Sequence, residues 1–173
     1  MWPPSAASVV PVIIRENRLL FNVFYLVSAD GEPLGRYVKT FPAPGDLDEG
    51  ITPAPENHLI PWDGLRVGGA ICYDMNFPEV FARQKEDGAD LFVIPSMYAG
   101  GAPVNYYARI HQCPIVIAYA AWSRIIDLTG EELAAGGYRH ETLRFGFGAP
   151  LYIADLNFDK AVFNIPDDPA AIP

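Results

Sequence analysis

The sequence predicts a mixed α/β domain built in layers, because short apolar segments typical of strands alternate with two segments typical of helices. The chain has 173 residues, a length that suits one domain with a sizeable core. Half of the residues are hydrophobic and 19% are charged, which is the composition of a globular protein. We therefore predict a single domain over residues 1–173.

The predicted strands are rich in β-branched and aromatic residues and are bounded by turn residues. The first two form a hairpin around the polar turn 16–18, and a second turn at 30–33 leads into the strand that carries Lys39. Residues 40–57 are dense in proline, glycine and acids, which predicts a long loop. The later predicted strands are residues 65–72, 91–95, 115–120, 124–128 and 150–156.

Two helices are predicted between these strands. Pro78 suits the first turn of a helix, and Gly88 is a typical residue just past a helix end, so we predict a helix over residues 78–87. A second helix is predicted over residues 104–112, where Pro114 prevents its continuation.

Composition and charge exclude several classes of function. The net charge of −9 would repel nucleic acid and an anionic membrane surface. Two cysteines give no disulfide framework and no metal-binding spacing, and no phosphate-binding glycine loop is present, so no cofactor is implied. The sequence shows neither a signal peptide nor an apolar run long enough to span a bilayer, and we expect a cytoplasmic protein.

The most informative segment is residues 68–79, where an apolar, glycine-containing run ends at Cys72 and is followed by a turn and a helix start at Pro78. A thiol on such a bend, near the positive end of a helix, is favoured as a reactive thiolate. A buried structural cysteine is the alternative, since free cysteine is among the most buried residue types.

The flanking residues carry a resemblance to a known family. Cys72-Tyr73-Asp74 followed by Phe77-Pro78-Glu79 resembles the nucleophile motif of the nitrilase superfamily of carbon–nitrogen hydrolases, in its amidase-like branch. Residues 37–40, continuing through Asp46 to residues 50–53, resemble the lysine motif of the same family. Further similarity lies at residues 88–91, 95–96, 109 and 123–127. The resemblance implies a partial α-β-β-α sandwich with mixed sheets and helices on the outer face.

The resemblance also implies roles for site residues. Cys72 is the implied nucleophile, and Lys39 is expected beside it to stabilise the oxyanion, together with the backbone N–H of Tyr73. Asp46 occupies the position of a glutamate that orients the lysine, although aspartate is one methylene shorter and an ordinary loop acid is the alternative. Tyr98 follows a predicted strand, at a position where members of the family contact substrate. The alternative is an aromatic side chain that only fills space by packing.

By the same resemblance, the chain is expected to hydrolyse amide or carbamoyl C–N bonds of a small-molecule substrate through a cysteine thioester, as a homo-oligomer. The family's proton-shuttling glutamate lies on an N-terminal segment, whereas Glu16 and Glu32, the glutamates before Lys39, fall in predicted turns. We therefore expect a domain truncated at its N-terminus relative to the family, with apolar surface exposed on one sheet. The alternative is a non-catalytic or fragmentary family member that acts as an interaction or binding protein.

Overall fold

The computed structural model describes residues 6–54, 56–119, 121–137 and 151–162, and these form two sheets and a layer of helices. The mixed α/β class predicted from the sequence is confirmed. The strands are β1 Ala7–Glu16, β2 Leu19–Ser28, β3 Pro33–Val38, β4 Ile60–Trp62, β5 Leu65–Gly69, β6 Leu91–Pro95, β7 Ile115–Ala118, β8 Ser123–Ile126 and β9 Glu132–Gly136. The helices are α1 Pro44–Asp48, α2 Pro78–Glu86 and α3 Ala102–His111, with a 3-10 turn over Cys72–Asn76.

The first sheet is antiparallel, in the order β1-β2-β3. Asn17 and Arg18 both adopt positive φ, 48° and 71°, in the two-residue turn that joins Glu16 to its partner Leu19. Such a turn matches the twist of the flanking strands, and asparagine tolerates the left-handed region well. The predicted hairpin is therefore confirmed.

The second sheet has the order β4-β5-β6-β7-β8-β9, and its central strands β5, β6 and β7 are parallel. Parallel neighbours need a crossover connection, which α2 and α3 supply. The two helices pack side by side on this sheet through Phe81 of α2, whose ring stacks on Tyr107 of α3 at 4.7 Å and meets Phe92 of β6 edge-on at 5.2 Å. These helices cover one face of the sheet.

Strand β5 is packed closely on both faces, which explains the two consecutive glycines near its end. A Cβ at Gly68 would lie 2.8 Å from the ring of Phe92, on the helix side. A Cβ at Gly69 would lie 2.4 Å from the ring of Phe24 in the first sheet. The described layers are thus helices, six-stranded sheet and three-stranded sheet, stacked in that order.

Several sequence predictions differ from the structure. Strand β5 ends at Gly69, so the prediction that it continues to residue 72 was wrong, because the chain enters a 3-10 turn at Cys72. The long loop 40–57 contains the short helix α1, which begins at Pro44, a favoured first helical residue. Strands β4 and β9 were not predicted.

The strand predicted over residues 150–156 is also wrong over its described part. Residues 151–156 form neither helix nor strand, and Leu151 and Ile153 are exposed. A segment rich in residues that favour strands does not by itself form a strand, because strand stability comes from pairing and packing against neighbouring strands. Residue 150 and the proline-rich tail after residue 163 lie outside the described residues. None of the described helices is long and apolar enough to cross a bilayer.

The close approach at β5 leads to a stability prediction. We expect Gly69→Ala to lower the free energy of unfolding by about 1–3 kcal/mol, because the added methyl group overpacks the contact with Phe24. Urea unfolding monitored by circular dichroism measures this change. Gly45→Ala is the control, since a Cβ there meets nothing within 4 Å and alanine favours the helix. Equal unfolding midpoints for the two variants would contradict this account of the packing.

Candidate active site

Cys72 begins the 3-10 turn after β5, with its backbone in the left-handed region at φ 49°. This region is uncommon for a residue other than glycine, and such strained residues cluster at functional sites. Cys72 is partly exposed, whereas the other cysteine, Cys113, is completely buried. Burial raises the pKa of Cys113 to about 12, which leaves Cys72 as the cysteine accessible for chemistry.

Asp74, two residues after Cys72, is a fully buried carboxylate that joins the cysteine turn to the segment around Lys39. One oxygen, Oδ1, accepts a hydrogen bond of 2.7 Å from the backbone N–H of Phe41. The other, Oδ2, accepts bonds from the N–H of Ile71 at 2.9 Å and the hydroxyl of Tyr37 at 3.0 Å. Burial raises the pKa of Asp74 above its ordinary value, and these donors oppose that shift.

An aromatic contact strengthens the same junction. The ring of Phe41, two residues after Lys39, stacks on Phe77 at the end of the cysteine turn, with 3.9 Å between ring centroids. The ring of Tyr73 meets Phe77 edge-on at 5.5 Å. Polar and apolar contacts therefore hold the two motifs together, although they are more than thirty residues apart in the sequence.

Lys39 lies directly after β3 and is only 3% exposed, which is rare for a lysine. Its ammonium group forms an ion pair with Oδ2 of Asp46, and the same oxygen accepts a 2.9 Å bond from the backbone N–H of Ala43. Burial by itself would raise the pKa of Asp46, but the bonds from Lys39 and Ala43 hold it below the ordinary value of 3.8. Aspartate thus reaches the lysine because α1 places residue 46 in its first turn.

Asn57 fixes the backbone on either side of Lys39. Its amide exchanges two 2.8 Å hydrogen bonds with the backbone of Val38 and donates a third, at 3.1 Å, to the hydroxyl of Thr40. This side chain substitutes for a neighbouring strand, since it satisfies a backbone donor and a backbone acceptor at once. The segment that presents Lys39 is therefore held from two directions.

Tyr98 lies in the loop after β6 and is 43% exposed. Strands β5 and β6 are parallel, so Cys72 and Tyr98 follow the same edge of the sheet. The loop after β6 lies close to the cysteine turn. A Cβ at Gly100 in this loop would lie 2.9 Å from Sδ of Met75 in the turn. The loop that carries Tyr98 therefore lies beside the cysteine turn, and the substrate-contacting role of Tyr98 stays a prediction.

Arg124 holds the loop that carries Tyr98. Its guanidinium group is 5% exposed and donates to the carbonyl oxygens of Ala99, at 3.1 Å, and Gly101, at 2.9 Å. It also donates to the side chains of Asn105 and Glu132. A buried arginine with this many donors satisfied fixes several carbonyl groups in one geometry.

Sequence reasoning assigned no role to Asn57 or Arg124. For Arg124 a signal existed, since the strand alternation places it on the same face as buried Ile126. A charged residue at such a position must find partners. Asn57 carries no comparable signal, because asparagine is common in loops. Among the described residues, no three His, Cys, Asp or Glu side chains lie close enough together to hold a metal ion.

Comparison with solved structures identifies the class of fold. The chain superposes on a carbon–nitrogen hydrolase from Helicobacter pylori G27 with a TM-score of 0.69 and 17% identity, covering 77% of this chain and 58% of that one. It superposes equally well on an amidase of the nitrilase superfamily from Nesterenkonia sp. AN1, with a TM-score of 0.69, 20% identity, and coverage of 77% and 58% respectively. At these identities the likeness shows the fold, which is that of the nitrilase superfamily.

The sequence itself matches the family model "Carbon-nitrogen hydrolase" over residues 5–160, and the chain belongs to this family. A "Hydrolase in pqqF 5'region" of Pseudomonas protegens is 36% identical over 107 residues, which are 58% of this chain and 37% of that protein. A 2-oxoglutaramate amidase of Bacillus subtilis is 26% identical over 153 residues, which are 77% of this chain and 58% of the relative. The matched part thus spans less than two thirds of these relatives.

The Lys39–Asp46 ion pair leads to a prediction about pH. We expect Asp46→Asn to lower the free energy of unfolding by about 3 kcal/mol at pH 7, because it leaves a buried ammonium group without its counter-charge. The pKa of Asp46 is lowered by folding, so the pair stabilises the fold above the ordinary value of 3.8 and is lost as the pH falls below it. The difference between wild type and variant should therefore disappear in acid.

Denaturant unfolding at a series of pH values from 7 down to about 2 measures this difference, because the folded pKa of Asp46 lies below 3.8. Asp48→Asn is the matched control, because Asp48 is an exposed acid of the same helix and its loss should change stability little. A difference that persisted undiminished below pH 3 would show that the stabilisation does not come from the ionised carboxylate.

Proposed function

We propose that this chain carries the nucleophile and oxyanion-stabilising groups of a carbon–nitrogen hydrolase that acts on amide or carbamoyl bonds. Cys72 is the proposed nucleophile, Lys39 the oxyanion stabiliser and Asp46 the residue that orients Lys39. The backbone N–H of Tyr73 is the second proposed oxyanion donor, and Tyr98 a proposed substrate contact.

The observation that carries this proposal is the buried ion pair of Lys39 and Asp46 on a segment that is bonded to the Cys72 turn. Burying an ammonium group is costly, which makes a lysine that is 3% exposed a candidate functional residue. A lysine with one carboxylate partner still has two N–H donors, which suit an oxygen that becomes negative during the reaction.

The proposed reaction proceeds in two steps. The Cys72 sulfur attacks the carbonyl carbon, a C–S bond forms, and the carbonyl oxygen becomes an oxyanion that Lys39 and the Tyr73 N–H stabilise. The C–N bond then breaks, the nitrogen leaves as ammonia or an amine after taking up the thiol proton, and a thioester remains. Water attacks the thioester, the C–S bond breaks, the acid leaves, and the sulfur recovers a proton.

The proton transfers in both steps need a general acid and base. Neither glutamate before Lys39 suits this role in the structure. Glu16 is held by Arg36 in a two-pronged ion pair, with N–O distances of 2.5 and 3.0 Å, and Glu32 lies exposed in a turn. The family resemblance assigns the role to a glutamate on a segment that precedes the matched motifs.

The relatives suggest which substrates to test first. One relative is named for its substrate 2-oxoglutaramate, an amide of 2-oxoglutarate. One structure of the Nesterenkonia amidase is a complex with butyramide. Both compounds are small primary amides. We propose a small amide or an N-carbamoyl compound as the substrate of this chain and, on composition, the cytoplasm as its location.

The proposed nucleophile leads to a kinetic prediction. We expect Cys72→Ala to abolish release of ammonia from 2-oxoglutaramate, butyramide and an N-carbamoyl amino acid, because no thioester can form. Mass spectrometry of the unmodified chain, quenched during turnover, should find an acyl group on Cys72. Cys113→Ala is the control and should keep the activity, since Cys113 is buried and contacts Ala89.

Equal turnover by the wild type and Cys72→Ala would reject this mechanism. If the unmodified chain shows no turnover and no acyl adduct, the result instead favours the second candidate function, a non-catalytic interaction protein. The observation that favours this alternative is the apolar surface left exposed on the first sheet, where Val10 and Val12, which lie on the same face of β1, are each more than 40% exposed.

The same surface supports the proposal that the chain forms a homo-oligomer. Two exposed apolar side chains on one face of β1, which lies at the edge of the described three-stranded sheet, favour association. We expect Val12→Lys to shift the molar mass measured by light scattering towards the monomer, because the added charge must be desolvated in an interface. Leu133→Lys, at a similarly exposed apolar position of β9, should leave the mass unchanged. A monomeric wild type would contradict the proposal.

A further inference from the structure

We propose that Asp74 is a positioning residue that sets the distance between Lys39 and Cys72. This inference rests on the proposed function, because that distance matters only if the two groups act together. The hydrogen bonds of Asp74 go to the Tyr37 hydroxyl and to the backbone N–H groups of Phe41 and Ile71, not to the side chains of Lys39 or Cys72. Asp74 acts through the backbone segments on which these two side chains stand.

The two carboxylate oxygens face backbone donors from different parts of the chain. Oδ1 accepts from the N–H of Phe41, two residues after Lys39, at 2.7 Å. Oδ2 accepts from the N–H of Ile71, the residue before Cys72, at 2.9 Å. A single rigid carboxylate group therefore links the lysine segment to the cysteine turn.

Both backbone groups are obligatory donors, so each requires an acceptor at its position. A carboxylate offers two equivalent acceptors, whereas the amide of asparagine offers one acceptor and one NH₂ donor. In either orientation of an asparagine at position 74, one of the two N–H groups would face the NH₂ group. One segment would then lose its anchor, while the volume of the side chain stays the same.

The hydroxyl of Tyr37 is a supporting contact of a different kind. It bonds to Oδ2 of Asp74 at 3.0 Å and also to the hydroxyl of Thr40 at 2.9 Å, so either neighbour can satisfy it. Removing this hydroxyl leaves both backbone links in place. Tyr37→Phe therefore separates the effect of a lost side-chain bond from the effect of a lost segment anchor.

Crosslinking with o-phthalaldehyde tests the inference directly on the full chain. This reagent joins a thiol and a primary amine into a fluorescent isoindole, with loss of two water molecules, only where both lie close enough to react with one reagent molecule. The wild type should form the isoindole between Cys72 and Lys39, identified by its fluorescence and by mass spectrometry of the joined peptides. Asp74→Asn should form it about tenfold more slowly, the factor expected when a hydrogen bond to a charged group is lost.

Asp127→Asn is the matched control. Asp127 is also a buried aspartate, 4% exposed, and accepts bonds from Lys160 and Thr129. It follows Ile126, whose partner Ile115 begins β7, so it lies at the edge of the sheet opposite to the ends of β5 and β6. Asp127→Asn should lower stability while keeping the crosslinking rate, and Tyr37→Phe should keep it within about twofold, because neutral hydrogen bonds contribute little.

The outcomes separate this inference from the proposed function. If the wild type forms no isoindole between Cys72 and Lys39, or Lys39→Gln forms the same product, the two groups are not neighbours and the proposed function fails with the inference. If the wild type forms it and Asp74→Asn matches Asp127→Asn in rate, only the positioning role of Asp74 is overturned. Circular dichroism of each variant confirms that the rates are compared between folded proteins.

Discussion

The close packing of β5 between two layers is the constraint on which the rest of the structure depends. Gly68 allows the ring of Phe92 to approach from the helix side, and Gly69 allows Phe24 to approach from the first sheet. The first sheet also carries Tyr37 and leads directly into Lys39, so its distance from β5 decides whether the lysine segment can reach the cysteine turn. A side chain at position 69 would move the sheets apart, and a 3.0 Å bond such as that from Tyr37 to Asp74 does not survive a shift of that size.

Buried charges then convert this packing into a defined geometry. Lys39, Asp74 and Arg124 are each at most 5% exposed, and a buried charge without partners would cost several kcal/mol. Each of them is satisfied by groups from a different part of the chain rather than by its immediate neighbours alone. The contacts that make burial of these charges tolerable are therefore the same contacts that fix the loops.

The sequence predicted those parts of the fold and site that depend on local patterns. The first hairpin and the helix that begins at Pro78 follow from turn chemistry and helix-start preferences, which act within a few residues. The sequence does not decide whether Asp46 pairs with Lys39, because the aspartate reaches the lysine only from the short helix α1, which the loop-like composition of residues 40–57 does not predict. The bond between Asp74 and the segment around Lys39 could not be predicted from the sequence. A bond from an aspartate within its own turn can be predicted from sequence. A bond to a segment more than thirty residues away depends on how the sheets pack.

Asp74 and Arg124 fix two neighbouring loops by the same physical means. Each loop follows one of the parallel strands β5 and β6, and each is held by a buried charged side chain that binds backbone groups. Every residue type except proline carries the same backbone N–H and carbonyl groups, so these anchors do not otherwise depend on which side chains the loops present. Exposed residues such as Met97 and Tyr98 can therefore differ between related chains without disturbing the Cys72 turn. On this scaffold, the geometry of the proposed nucleophile Cys72 and the loop surface that carries Tyr98 are physically separable.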